Sequence, residues 1–207
     1  MEAYYSRGVE KNKGLGIFIK NDHFKNGLNL VDNGWHSENL ECYISCNLNG
    51  KVNILGIWAH TVDDNKDYGP ALWKYLKKHK DKLDNSYVIA GDLNLDKTVK
   101  GQSDECVQAN DEIYKLLDKE LISAYHTDPR YKCDYGEETI STYIILMKRN
   151  TKTATRVDTL STIFPSGHVD YIFFGKNFKK VDFELGSQKT MDIQRQNRVR
   201  RRYAWKK

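Results

Sequence analysis

Asp92 and Asn94, within "SYVIAGDLNLD" at 86–96, are an acid and an amide separated by one residue, directly after the apolar run Tyr87–Ala90 and a glycine. A carboxylate can take up a proton, an amide can orient a bound group, and the oxygens of both can ligate a hard cation. The apolar run reads as a short strand covered on both faces, where burying a carboxylate would be costly. If the chain stays extended, residues 92 and 94 leave the same face at the strand end, where open α/β sheets keep their ligand sites. A strand closed by an Asx-type turn explains the same residues, and both readings stay open on this stretch alone. Two further apolar segments end alike: "NILGIWAH" finishes on His60, and "SGHVDYIFF" brings His168 and Asp170 to the start of an apolar run. Three segments thus deliver acid, amide or imidazole groups where a sheet edge meets solvent. His23, His36, His79 and His126 have no such setting and read as structural imidazoles.

The elements that must carry these groups follow from periodicity. "GLGIFIK" at 14–20, "LECYISCNL" at 40–48 and "KVNILGIWAH" at 51–60 read as strands, and the "NLNGK" between the last two is a hairpin signal. "DYGPALWKYLKKHKDKL" at 67–83 changes to helical spacing, with Leu72, Trp73, Leu76 and Leu83 apolar and Pro70 suited to a first turn. A second helix is expected over 101–120 with Val107, Ile113, Leu116 and Leu117 buried. Strands are expected at 86–91, 121–126, 141–147, 168–175 and 181–185, and the polar, Thr-rich stretch 148–167 reads as a long surface connection. Strands outnumber helices, yet helices separate some of them, so the fold class is α/β or α+β with mixed sheets.

The 207 residues suit one domain, expected over 1–187, followed by a basic tail over 188–207. The whole chain carries +5, and residues 191–207 hold seven Lys or Arg against one Asp, which leaves the body near −1. Arg200, Arg201 and Arg202 in that tail are candidates for contacts to nucleic-acid phosphates, with Tyr203 and Trp205 able to stack on bases; a solvated terminus is the plain alternative. Cys42 and Cys46 would share a strand face roughly 13 Å apart, too far to bridge, and with Cys106 and Cys133 solitary, reduced thiols are expected and zinc is not. No run approaches the roughly 18–20 apolar residues of a membrane span, and the start lacks the apolar core of a signal peptide, so a cytoplasmic protein without a membrane partner is expected.

In their order along the chain these segments resemble motifs of the endonuclease/exonuclease/phosphatase superfamily, the DNase I-like metal-dependent phosphoesterases. "AGDLN" resembles the family's Gly-Asp-Phe-Asn motif and "HVDYIFF" its His-Ile-Asp-Tyr-Ile-Phe element. "NKGLGIF" is similar to the segment that opens the family's middle strands, and "ILGIWAH" to the strand ending in its His-bearing position. The resemblance spans residues 8–185. It implies a four-layer sandwich of two mixed sheets flanked by helices, and hydrolysis of phosphodiesters or phosphomonoesters with Mg²⁺ or Mn²⁺ held by Asp92 and Asn94. It further implies that Asp92 orients or deprotonates the attacking water, Asn94 holds a phosphate oxygen or the nucleophile, His60 donates to the phosphate or leaving group, and Asp170 fixes neighbouring polar groups. His168 would contact substrate or brace the strand.

The family also carries an Asn strand and a metal-binding Glu before "NKGLGIF", and a closing Ser-Asp-His. Glu2 and Glu10 lie outside that context, and "VDFELGSQKT" leads into the basic tail instead. A chain cut at both ends is therefore expected, with exposed sheet edges that favour association. The reading is a nuclease-leaning phosphoesterase acting on nucleic acid or another phosphoester. The alternative is an inactive fragment or pseudoenzyme that acts as a nucleic-acid-binding module through its basic tail.

Overall fold

The computed structural model describes residues 3–7, 14–18, 29–35, 43–59, 68–95, 102–138, 143–147, 162–167 and 170–179, with 3–7, 143–147 and 162–167 described by their backbone. Its centre is a six-stranded mixed sheet of β3 (Leu30–Asp32), β4 (Tyr43–Leu48), β5 (Val52–Trp58), β6 (Tyr87–Asp92), β10 (Asp170–Gly175) and β7 (Leu121–Ser123), adjacent in that order. Every neighbouring pair is antiparallel except β5–β6, which is parallel. Parallel neighbours need a crossover, and helix α1 (Tyr68–His79) lies on it. Strand β3, too short for its alternation to show in sequence, pairs with the edge of β4.

The hairpin signal before β5 is realised. Asn49 and Gly50 both take positive φ, 54° and 66°, the conformation whose twist matches flanking antiparallel strands. In α1 the buried positions are Gly69, Leu72, Tyr75, Leu76 and His79, one face at helical spacing, with Lys77 and Lys78 in the last turn favourably placed on the helix dipole. Trp73 is only half-buried, while Leu83 is buried just beyond a 3₁₀ turn at Lys80–Lys82. Helix α2 (Asp104–Glu120) starts on Ser103, whose hydroxyl accepts the Cys106 amide at 3.1 Å, and Asp104 and Glu105 occupy its first turn. Its buried stripe is Cys106, Ala109, Asn110, Ile113, Tyr114 and Leu117. Val107, expected inside, is 46% exposed, because it lies one position off that stripe, and Leu116 is half-buried at the stripe's margin.

Both helices cover one face of the sheet, where Leu55, Ile57, Ile89 and Phe173 meet Leu72, Leu76, Ile113 and Leu117 in one apolar core. The opposite face is approached by β1 (Ala3–Arg7) and β2 (Gly14–Phe18), an antiparallel pair. Gly56 alternates away from Leu55 and Ile57, and a Cβ there would sit 3.3 Å from Leu15 and Ile17 of β2, so that ladder forms a layer behind the sheet. The stretch 148–167 is not all connection: β9 (Thr162–Gly167) pairs antiparallel with β8 (Tyr143–Met147). Its "TIF" has β-branched and aromatic residues that suit a strand, and Pro165 is tolerated in a ladder of two edges beside a register shift at Tyr143/Ile144. The strand expected at 121–126 stops at Ser123, where the chain enters turns. Residues 181–185 lie outside the described residues. No described helix is long and apolar enough to cross a membrane.

His79 is only 6% exposed, stacks on Trp35 at 4.8 Å and 4°, and its Nε2 has no hydrogen-bond partner. Burial, then Lys82 and Lys78, push its pKa below the usual 6.5, so the fold holds the ring neutral. The unfolded chain then binds more protons below about 6.5, and stability is lost as pH falls through that value. His79→Phe keeps the stack and cannot titrate. Melting temperatures from pH 7.5 to 5.5 should fall further for the wild type than for His79→Phe; parallel curves would refute this.

Candidate active site

The end of β6 is shaped by its contact with β5. Gly91 has φ 140°, and a Cβ there would run into the Ile57 carbonyl, its register partner in β5. Only glycine permits this approach, which explains the residue that precedes the acid. The next residues are locked to the end of β5: the Ala59 amide donates to the Asp92 carbonyl at 2.8 Å, and Asn94 Nδ2 donates to the Ala59 carbonyl at 2.9 Å. Leu93 and Leu95 are fully buried, and Asn94 sits between them at φ 51°. The chain therefore does not remain extended past Asp92, as the spacing argument assumed. Burying two leucines on either side of the amide requires a left-handed turn, which Asn tolerates better than most residues. The N–H groups of Asn94 lie near enough to Asp92 to work against the burial of its carboxyl, which fits the Asx-type reading of the stretch.

Asp170 opens β10 directly opposite Asp92 in the antiparallel register. Directly opposed residues hold their Cβ atoms about 4.5–5.5 Å apart, so two carboxylates share one small region at the C-terminal end of the parallel pair. Tyr87 and Ile89 face the helices, whereas Asp92 alternates with them onto the other face, beside the half-buried Val88 and Ala90. Burial, and secondarily the Asp170 charge, push the Asp92 carboxyl up to about 6, against the hydrogen bonds from Asn94. Asp92 Oδ1 is buried and has no hydrogen-bond partner.

The structure thus brings Asp92, Asn94 and Asp170 together. His60 follows the clamped Ala59 in sequence, and His168 precedes Asp170 by two residues, but both, like Arg200, Arg201, Arg202, Glu2 and Glu10, lie outside the described residues. Two opposed carboxylates and an orphaned buried oxygen fit a hard divalent cation, and Asn94 Oδ1 remains available once Nδ2 is engaged. Among the described residues no group of three or more His, Cys, Asp and Glu could hold a metal, so Asp92, Asp170 and Asn94 would supply only part of a coordination shell. His126, read as structural, is buried with Nε2 3.0 Å from Glu138 and Nδ1 2.8 Å from Ser123. Burial raises the Glu138 carboxyl, but hydrogen bonds from His126, from its own amide and from Gly136 hold it below its ordinary range. Glu138 escaped the sequence reading because nothing in a separation of twelve residues signals the contact.

Above pH 6 the fold carries an ionised, half-buried Asp92, whose cost is relieved as pH falls toward the unfolded value of 3.8. After discounting for solvent screening, Asp92→Asn should stabilise the metal-free protein by about 1 kcal/mol at pH 8, or about 2–4 °C. The gain should shrink toward pH 4. Thermal melts in EDTA check this, and a lower melting temperature at pH 8 would contradict it. Gly91→Ala should cost about 3 kcal/mol or more by urea titration, because backbone rather than a flexible side chain must yield.

No family model and no curated protein matches the sequence. Among solved structures, the endonuclease domain of TRAS1, a telomere-specific non-LTR retrotransposon, superposes with a TM-score of 0.50 at 10% identity, covering 85% of this chain and 67% of that one. At that identity the likeness shows the fold. The mixed six-stranded sheet with its two helices, and the ladder behind it, give this chain a DNase I-like α/β fold, incomplete within the described residues.

Proposed function

We propose that this chain is a divalent-metal-dependent phosphoester hydrolase that cleaves phosphodiester bonds in nucleic acid. The observation that carries the reading is the convergence of Asp92, Asn94 and Asp170, with Asp92 left as a strained, partly unsatisfied carboxylate. This carboxyl is pushed up to about 6 without metal, and a divalent cation beside it would favour its ionised form, able to accept a proton near neutral pH. Asp92 takes the proton of the attacking water. Asn94 is held by Ala59 so that its amide can hold the nucleophile or a phosphate oxygen in line, and Asp170 completes the anionic pocket. His60 serves as donor to the leaving group, with His168 near the substrate and Arg200, Arg201 and Arg202 on flanking phosphates. Asp92, Asp170 and the Asn94 oxygen would hold Mg²⁺ or Mn²⁺, which when bound offsets the charge that shields a phosphodiester from attack. The fold shared with a retrotransposon endonuclease domain supports nucleic acid as the substrate class.

The test is cleavage of supercoiled plasmid, labelled single-stranded DNA and RNA, and a chromogenic phosphodiester, with Mg²⁺, Mn²⁺ or EDTA. Turnover should require the metal and fall at least about 100-fold in Asp92→Ala with the circular dichroism spectrum retained. Turnover that survives EDTA or Asp92→Ala would remove this site from consideration.

A further inference from the structure

The left-handed turn at Asn94 must be imposed by its surroundings, since a non-glycine residue is disfavoured there. One side of the turn is secured by the bond from Asn94 to the Ala59 carbonyl. The other side is reached from the helix layer: Tyr114, on the buried stripe of α2, donates its hydroxyl to the Leu95 carbonyl at 2.7 Å. The Tyr114 ring is only 4% exposed and stacks on Tyr135 at 4.1 Å, so its hydroxyl has little freedom to leave.

Behind Tyr114 runs a buried polar chain. Its hydroxyl is 3.1 Å from that of Tyr171, which donates to Glu138 Oε1 at 3.2 Å, and the same Oε1 meets His126 Nε2. The chain has acceptors at both ends, the Leu95 carbonyl and a Glu138 held ionised, and neither brings a proton. Either hydroxyl can donate in the Tyr114–Tyr171 contact, and the Tyr114 hydroxyl also has the Leu95 carbonyl within reach. The shorter contact, to Leu95, marks the favoured arrangement, with the Tyr171 proton on Glu138.

We propose that Tyr114 is a positioning residue for Asn94, its hydroxyl pinning the Leu95 carbonyl so that the Asn94 amide is held beside Asp92. The consequence for turnover rests on the phosphoesterase reading; the pinning itself does not. The contacts also distinguish the two tyrosines, since only Tyr114 reaches the Leu95 carbonyl among the bonds described. Loss of the Tyr114 hydroxyl frees the turn, whereas loss of the Tyr171 hydroxyl leaves the bond from Tyr114 to Leu95 in place.

The experiment compares Tyr114→Phe and Tyr171→Phe in the full chain by steady-state cleavage with Mg²⁺ and by amide hydrogen exchange at Asn94 and Leu95 without substrate. Tyr114→Phe should lower kcat about tenfold with KM within about twofold, and should speed exchange at both amides. Tyr171→Phe should stay within about twofold of wild type in both readouts. Unchanged kcat or exchange in Tyr114→Phe, or an equal loss in Tyr171→Phe, would overturn the proposal. If Tyr114→Phe does not fold, 3-fluorotyrosine at 114 keeps the shape. Its ¹⁹F resonance should move in Asn94→Ala, and an unmoved resonance would overturn the coupling. A wild type without metal-dependent turnover sinks the phosphoesterase reading, and the exchange and ¹⁹F results then decide the role of Tyr114 by themselves.

Discussion

The parallel pairing of β5 with β6 is the constraint on which the rest depends. It draws the two strand ends together so closely that Gly91 can carry no side chain against the Ile57 carbonyl. From that approach follow the bond between Ala59 and Asp92, the reach of Asn94 back to Ala59, and the left-handed turn that sends Leu93 and Leu95 into the core. The leucines and the amide depend on one another. Burial of the first fixes the exposure of the second.

The strand on the other side of β6 sets the electrostatics. Because β10 runs antiparallel in a register that opposes Asp170 to Asp92, the sheet confronts two carboxylates instead of dispersing them. Burial and repulsion leave Asp92 less acidic than an ordinary carboxylate and one of its oxygens without a partner. A structure selected for stability alone has no reason to retain this arrangement, since native proteins concentrate such strain at functional sites. The opposed pair is the feature on which the proposed cation and proton site rests.

The helix layer does more than cover the sheet. α2 carries Ile113 and Leu117 into the apolar core and, on the same stripe, Tyr114, whose hydroxyl reaches the turn that follows β6. Tyr171, next to Asp170, links that hydroxyl to the buried His126–Glu138 pair. Apolar packing thus supplies the rigidity of the site and a short polar chain supplies its register, a division expected wherever a few groups must be held to within a fraction of an ångström.

Sequence alone determined what depends on neighbours in the chain. The Asn49–Gly50 hairpin, the stripe of α1 and the apolar run of β6 ending in acid and amide are local patterns with local causes, and the motif resemblance extended them to the DNase I-like fold. Where two locally similar positions competed, the sequence was less informative: Val107 and Ile113 are both β-branched and apolar, and only the packing of α2 on the sheet put one outside and the other inside. Strands as short as Leu30–Asp32, or interrupted by proline as at Thr162–Gly167, carry too little periodicity to be seen before a partner strand is present. The tertiary structure decided which distant residues meet. Asp92 faces Asp170 across 78 positions of sequence because of strand register, and Glu138 finds His126 and Tyr171 through the turns after β7. Asn94 turns left-handed because its neighbouring leucines are buried. Each is fixed by pairing and burial between segments far apart in the chain, and no spacing within one segment encodes it.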